Sequence, residues 1–334
     1  MPVLRPSGSD FTSFVKAAAQ YVPAGGGGKP SKSGGVSVAL PGLGAIVRTS
    51  QVGALASPTT SAVVINGITP PGGGASAPAS APVPTGIPTT VPELQLWLDG
   101  ADPAGTGTAP SDGAIVSMWM DKSGRNNHGT SHGNPTFVAS AFNSKPGISL
   151  NGSTQRFVGA ITNTGTTVSV FAIVSMNSGG QWGRICSLAT TSSADGGVSS
   201  LYFIPLIRSF TNQAIQSGRY QGSGNVNTAQ VAVTYNTPFQ ATSVVDGTTN
   251  TLYLNGTSAA TASCTGNFGY TSYGIGAAPA FPAEWLQGYI SEIIIYNASL
   301  TTTQRQTIEG YLAWKWGIQA SLPAGHLYKS AAPA

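Results

Sequence analysis

A pair of carboxylates in this chain could hydrolyse glycosides. A retaining glycosidase uses two such groups, a nucleophile and an acid/base, about 5–5.5 Å apart. Only Glu93 and Asp99 share one strand-like segment, and six residues of extended chain hold them roughly 20 Å apart. The acidic residues after position 92 are Glu93, Asp99, Asp102, Asp112, Asp121, Asp195, Asp246, Glu284, Glu292 and Glu309. The spacing predicts a protein that is not an enzyme, and a hydrolase requires carboxylates from different strands to converge.

The string Gly129-Thr-Ser-His-Gly133 matches the G-x-S-x-G pattern of serine hydrolases, with His128 beside it. That nucleophile elbow needs a strand before it and a helix after it, whereas Asn134-Pro135 follows here. His128 and His132 have i,i+4 spacing but no helix to align them on a metal ion. We therefore expect a polar loop without catalytic or metal-binding residues.

Two further strings resemble ion-binding loops. Asp121-Lys-Ser-Gly-Arg-Asn-Asn lacks the oxygen ligands of a calcium loop, since Arg125 is a cation, so an Asx turn held by Asp121 is expected. A calcium site at the rim of the fold, built from Asp99, Asp102 or Asp121, is a weaker alternative. Gly25–Gly28 with Lys29 fails as a phosphate loop, because Pro30 stands where Ser or Thr belongs. No cofactor is expected.

Aromatic side chains beside polar groups are typical of sugar-binding surfaces. Trp97, Trp314 and Trp316 lie in apolar patterns and are expected in the core. Trp182 and Trp285 are flanked by Gly, Gln and Glu and are the candidates for an exposed glycan-binding surface.

The composition divides the 334 residues into an arm and a body. Residues 1–92 are rich in Gly, Pro, Ala, Ser and Thr, and the arm holds the whole net charge of +4, since ten basic residues face ten acidic ones after it. Five scattered cations make no nucleic-acid patch. No secretory signal and no apolar run long enough for a membrane span is visible. Cys186 and Cys264 are expected to be reduced core thiols, although a sandwich can also pair them.

The arm contains local patterns of its own. Residues 10–22 predict a short amphipathic helix capped by Ser9 or Asp10, which packs either on its own body or on a neighbour. Residues 36–40, 44–47 and 61–66 predict short strands, and residues 70–92 a spacer. A segment of this composition orders when partners supply contacts. The expected partner-binding residues are Arg5, Phe11, Phe14, Val15, Tyr21, Val63 and Ile65.

The body, residues 93–330, shows short alternating segments separated by Asn-Gly and Asp-Gly turns, which is typical of an antiparallel sandwich. Asp246-Gly247 and Asn255-Gly256 predict tight hairpins. A helix over 301–316 follows the last strand, with Ser299 or Thr301 as its cap and Gly317 at its stop. The fold class is all-β, a two-sheet antiparallel jelly-roll sandwich with a C-terminal helix and a long extended N-terminal arm.

Four blocks in this order resemble laminin-G-like, concanavalin A-like jelly-roll domains: LQLWLDGADP, VSMWMDKSGRNNHGT, KPGISLNGSTQRFVG and GYISEIIIYNASLTTTQRQTIEGYLAWKWG. The resemblance covers roughly residues 94–318. It implies two stacked antiparallel sheets, and members of that group bind glycans or proteins, hydrolyse glycosides or serve as structural modules. The opening LRPSGSDFTSFVKAAAQY, the Gly/Pro arm and the terminal helix together resemble proteins encoded by large icosahedral DNA viruses.

These patterns predict a structural, non-enzymatic component of a large assembly. The resemblance makes it a minor capsid protein located in the virion, whose arm, residues 1–92, binds other capsid or assembly proteins. The alternative is a lectin-like surface module that binds a glycan through Trp182 and Trp285, with the arm as a stalk.

Overall fold

The computed structural model describes residues 37–39, 46–48, 87–177, 183–189, 203–208, 213–220, 225–267, 269–279 and 284–334. The chain divides into two units, residues 1–75 and 76–334. In the first unit, β1 (Ser37–Ala39) and β2 (Ile46–Arg48) pair as antiparallel strands, which confirms two of the three strands predicted for the arm. The helix predicted at 10–22, the strand at 61–66, and all seven arm residues expected to bind partners lie outside the described residues.

The second unit is almost entirely antiparallel β-structure. Its elements are α1 (Ile87–Thr90), β3 (Leu94–Asp99), β4 (Met118–Trp119), β5 (Gly129–His132), β6 (Thr136–Phe142), β7 (Lys145–Asn151), β8 (Arg156–Asn163), β9 (Val168–Met176), β10 (Arg184–Ala189), β11 (Phe203–Arg208), β12 (Ala214–Tyr220), β13 (Asn225–Asn227), β14 (Val231–Ala232), β15 (Phe239–Val245), β16 (Thr249–Leu254), β17 (Thr257–Ser263), β18 (Tyr270–Ile275), β19 (Gln287–Tyr296), α2 (Thr302–Lys315) and a 3₁₀ turn (Gln319–Ser321).

Two sheets form the sandwich. The nine-stranded sheet has the order β13-β12-β11-β10-β18-β8-β5-β4, with β14 also paired to β12. The eight-stranded sheet has the order β17-β16-β15-β9-β19-β7-β6, with β3 also paired to β19. Neighbours that are distant in sequence, such as β9 beside β19, are typical of a jelly roll. The predicted fold, a two-sheet antiparallel sandwich with one C-terminal helix, is confirmed.

The predicted Asp-Gly and Asn-Gly turns form two hairpins. Asp246 Oδ1 accepts hydrogen bonds from the backbone N–H groups of Thr248 and Thr249, between β15 and β16. Asn255 and Gly256 both have positive φ, 50° and 78°, as a two-residue turn between β16 and β17 requires. These two turns fix the register of three consecutive strands.

The body has two apolar layers. The first lies between the sheets and includes the fully buried Trp119, Phe157 and Tyr273. The second lies on the outer face of the eight-stranded sheet, where Phe171 and Tyr296 pack beneath α2. Residues 87–92, which the composition assigned to the arm, contribute Ile87 and Val91 to this second layer.

Helix α2 begins and ends as the sequence predicts. Thr301 and Gln304 form a capping box, so Thr301 rather than Ser299 is the cap. Gly317 has a φ of 70°, and Ile318 N donates to Ala313 O across the turn that stops the helix. The chain then folds back along the helix, where Trp314 Nε1 donates to Tyr328 O. Local signals therefore place α2, and its apolar face holds it on the sheet.

Candidate functional site

Carboxylates from two different strands converge beneath α2. Asp99 ends β3 and lies directly opposite Glu292 of β19 in the antiparallel register. Lys315, in the last turn of α2, lies between them, with its Nζ 2.8 Å from Asp99 Oδ1 and 2.7 Å from Glu292 Oε2. The convergence that a hydrolase requires is therefore present, and its geometry decides what it can do.

Every acceptor position of Glu292 is occupied. Its Oε1 accepts from Trp97 Nε1 at 2.6 Å and from Tyr311 Oη at 2.9 Å. Its Oε2 accepts from Lys315 Nζ at 2.7 Å and from Trp316 Nε1 at 2.7 Å. A carboxylate offers about four lone-pair sites, so this one has no capacity left for a substrate. Its side chain is also fully buried.

The neighbouring charges extend this cluster towards solvent. Lys122 Nζ lies 3.0 Å from Asp99 Oδ2 and 3.4 Å from Asp102 Oδ2, and it sits 5.1 Å from the centre of the Trp97 ring. Burial alone would lower the pKa of Lys122, but Asp99 and Asp102 outweigh it and raise that pKa. Lys122 and Lys315 therefore pair with the three buried acids of the cluster, Asp99, Asp102 and Glu292.

The pKa values of the two opposed carboxyl groups are shifted in opposite directions. Complete burial raises the pKa of Glu292 above its usual range, while Lys315 and the other donors oppose that shift. Burial would also raise the pKa of Asp99, but Lys315 and Lys122 outweigh it and lower that pKa. Because Lys315 separates the two groups and α2 covers them, the arrangement suits attachment of the helix to the sheet better than proton transfer to a bound sugar.

Ser131 and His132 of the hydrolase-like string lie in a strand, and His128 directly precedes it. The expectation of a loop at 129–133 was wrong: residues Gly129–His132 form β5 and pair with both β4 and β8. Positive φ at Gly133 and Asn134 then turns the chain into β6, so no helix follows Ser131 and no elbow forms. The alternation of polar and small residues hid this strand, because it carries little apolar periodicity.

The carboxylate of the loop that begins at Asp121 accepts hydrogen bonds from backbone N–H groups. Asp121 forms the predicted Asx turn, since its Oδ1 accepts from Ser123 N at 2.9 Å and also from Trp97 N at 2.9 Å. Asp121 N in turn donates to His128 Nδ1 at 3.0 Å. Among the described residues, no cluster of three or more His, Cys, Asp or Glu side chains is arranged to hold a metal ion.

Cys186 and Cys264 are not joined in a disulfide and are buried in the layer between the sheets, as the sequence suggests for reduced core thiols. Burial raises the pKa of the Cys186 thiol far above its usual range, which keeps it protonated and unreactive. In the parts of the chain that the structure describes, no helix has the length and apolar character needed to span a membrane.

The tryptophans divide by position. Trp97 and Trp316 are buried, as predicted, and their indole N–H groups both bind Glu292. Trp314 is only half-buried. Trp182 lies outside the described residues. Trp285, the remaining glycan candidate, is half-buried at one end of the sandwich, two residues before β19.

Trp285 lies beside the basic side chain of Arg156. The guanidinium carbon of Arg156, the first residue of β8, is 5.7 Å from the centre of the Trp285 ring. His132 is exposed and lies opposite Arg156 in the register of β5 and β8. Glu284, next to Trp285, forms an ion pair with Arg184. The three elements β5, β8 and the segment before β19 thus bring an aromatic ring and three cationic or ionisable side chains to one rim.

Two residues of these clusters, Lys315 and Arg156, were not among the candidates proposed from the sequence. The role of Glu292 in binding α2 was also not predicted. The available signal for Glu292 was its position as the one charged residue in the apolar strand YISEIIIYN, with Trp-Lys-Trp in the helix that follows. A lone charge at a buried strand position requires a partner. Arg156 carried no such signal, because only the strand pairing brings it near Trp285.

Comparisons with known proteins give matches to solved structures. No known protein family matches the sequence, and no curated protein matches it. Domain 4 of AbnA, a GH43 extracellular arabinanase from Geobacillus stearothermophilus solved with arabinotriose, is 14% identical with a TM-score of 0.45, and the match covers 64% of this chain and 96% of that one.

Two larger structures also match this chain in part. The receptor binding domain of botulinum neurotoxin D is 11% identical with a TM-score of 0.47, and the match covers 67% of this chain and 53% of that one. Trypanosoma rangeli sialidase with the inhibitor DANA is 13% identical with a TM-score of 0.41, and the match covers 65% and 32%. This chain therefore spans about half of the neurotoxin domain and a third of the sialidase. The ligands in these structures are properties of those proteins.

Proposed function

We propose that this chain is a structural, non-enzymatic component of a large assembly, and specifically a minor capsid protein of a virion whose N-terminal arm binds neighbouring subunits. One observation carries the proposal: among the described residues, the two apolar layers of the body are built from residues Ile87 to Leu322. This large core supports a separate, partner-binding role for the apolar residues of the arm.

The charge distribution supports the same proposal. The arm carries five basic residues and one acidic residue, and the body is neutral, so the arm favours a complementary acidic surface. Ordering the arm on a partner costs conformational entropy, which the burial of residues such as Phe11, Phe14 and Val15 offsets. The converging carboxylates of the body hold α2 in place, which leaves the body as a rigid support.

Co-expression of two tagged chains in the cells that make the particle tests this proposal. One chain is full-length and the other lacks residues 1–86. We expect both to be folded by circular dichroism, and only the full-length chain to appear in purified particles. Replacement of Phe11, Phe14 and Val15 by Ser in the full-length chain serves as a matched variant, because it changes the apolar stripe and leaves the arm's length and charge intact.

A second function is favoured by the position of Trp285. A half-buried indole beside arginine and histidine at one end of a sandwich suits stacking against a sugar ring, with polar groups to orient it. We propose glycan binding at this rim as the second candidate. A glycan array with the wild-type chain and the Trp285→Ala variant tests it: a specific signal that the substitution abolishes is expected, and a signal that survives the substitution contradicts it.

A further inference from the structure

The side chain of Arg156 has unused hydrogen-bonding capacity. Its Nη1 donates to Ala278 O at 3.1 Å. Its Nε is buried and has no hydrogen-bond partner, and its Nη2 has none within the described residues. Among the ion pairs of the described residues, none includes Arg156, whereas Arg184, Arg305, Lys122 and Lys315 are each paired with a carboxylate. A half-buried guanidinium without a counter-ion is uncommon, because removing charge from water costs free energy.

Among the described residues, the side chains placed beside Arg156 include His132 and Trp285. His132 lies across the strand pair, and burial together with the charge of Arg156 lowers the pKa of that imidazole. The carboxylate of Glu284, next to Trp285 in sequence, is bound by Arg184. The rim therefore has a net positive potential that no described side chain neutralises.

Arg156 is held in a fixed position, so its positive charge can orient a bound anion. Its register position in β8, between β5 and β18, sets its backbone, and the bond to Ala278 O directs the guanidinium. The Trp285 ring lies within the distance at which a guanidinium and an aromatic ring attract each other. A guanidinium held in this way offers a planar pair of donors to a carboxylate, while the indole offers an apolar face to the adjacent ring.

We infer that the Trp285 rim binds a carboxylate-bearing sugar, with Arg156 as the residue that selects the acid group. The inference rests on the second proposed function, glycan binding at Trp285, and names the charge of its ligand. Trp285 stacks against the sugar ring, Arg156 pairs with the carboxylate, and His132 adds positive charge when protonated. No covalent step is involved.

Matched pairs of sugars test the inference on the full-length chain. The probes are glucuronate against glucose, and sialyllactose against lactose, titrated by saturation-transfer NMR and calorimetry at low and high salt. We expect the acidic member of at least one pair to bind about tenfold or more tightly than its neutral partner. We also expect added salt to weaken that preference, because ions screen the attraction between the guanidinium and the carboxylate at this half-buried rim.

Four variants assign the effect to residues. Trp285→Ala should abolish binding of both members of a pair, and Arg156→Gln should remove the acidic preference while leaving weak neutral binding. Arg156→Lys retains the charge without the planar fork and should recover part of the preference. Arg125→Gln is the control, since Arg125 binds only the carbonyl of Leu94 through its Nε and lies outside the rim cluster. An unchanged unfolding midpoint shows that each variant is folded.

The outcomes separate the two claims. If neutral and acidic sugars bind equally and Arg156→Gln changes neither, the inference is overturned while glycan binding at Trp285 stands. If no sugar binds at millimolar concentration, both are overturned. If acetate or inorganic phosphate binds as tightly as the acidic sugars, the rim is a simple anion site and the sugar part of the inference is overturned. If the preference for the acidic sugar is lost in both the Arg156→Gln and the Trp285→Ala variants, the inference is supported.

Discussion

Replacing Glu292 by glutamine is expected to weaken the attachment of α2 to the sandwich. Glutamine has nearly the same shape, but its amide offers one oxygen acceptor and one NH₂ donor. The four groups that face Glu292, from Trp97, Tyr311, Lys315 and Trp316, are all donors. At the Oε2 position the NH₂ group would meet Lys315 and Trp316, which can only donate, and at the Oε1 position only the hydroxyl of Tyr311 could accept from it.

The expected cost follows from the burial of the cluster. Removing one partner of a buried, hydrogen-bonded ion pair destabilises a protein by about 3–5 kcal/mol. Each kcal/mol lowers the Tm of a domain of this size by about 2–4 °C, so a decrease of roughly 6–20 °C is expected. Urea unfolding followed by tryptophan fluorescence measures the free energy of unfolding, and thermal unfolding followed by circular dichroism measures the Tm.

Two controls make the result specific. Glu93→Gln is the same substitution at an exposed glutamate that has no ion pair in the described structure, and it should change stability by less than about 0.5 kcal/mol. The double variant Glu292→Gln, Lys315→Met should cost less than the sum of the two single variants by about 1–3 kcal/mol. A loss below about 1 kcal/mol for Glu292→Gln would refute the assignment of this carboxylate as the attachment point of α2.

Three further predictions test the fold. Because the pKa of Asp99 is lowered in the folded protein, its contribution to stability is present above the unfolded value of 3.8 and is lost as pH falls through the lower folded value. The difference in urea midpoint between wild type and Asp99→Asn should therefore be largest above pH 4 and should shrink towards pH 2; a difference independent of pH contradicts this. Gly159→Ala should cost about 1–3 kcal/mol, because a Cβ there would lie 2.4 Å from the ring of Tyr273, whereas Gly325→Ala, with nothing within 4 Å, should be neutral in the same assay. Thr301→Ala should cost about 1 kcal/mol by removing the capping box of α2, and exposed Thr302→Ala should cost less; equal losses in thermal unfolding would contradict the capping role.

Local patterns were sufficient to predict the sandwich and its terminal helix. Asn255-Gly256 requires positive φ at both positions, and Thr301 and Gly317 mark the ends of α2, so each signal depends only on a few neighbouring residues. Strand β5 escaped prediction because Gly-Thr-Ser-His has no apolar alternation, and its pairing with β8 determines its conformation.

The candidate sites depended on contacts that no local pattern contains. Glu292 and Asp99 are 193 positions apart and become neighbours only because β19 pairs with β3. Arg156 approaches Trp285 through the same kind of long-range pairing. Sequence reasoning found the aromatic member of the rim from its polar neighbours, but the cation beside it follows from the topology of the jelly roll.

The ratio of truncated to full-length chain in purified particles tests the central claim most directly. When both chains are expressed together at equal levels, we expect the chain lacking residues 1–86 to be folded and to stay in the soluble fraction, while the full-length chain enters the particles. Equal amounts of the two chains in the particles would contradict the account, because the body would then carry the assembly contacts that it assigns to the arm.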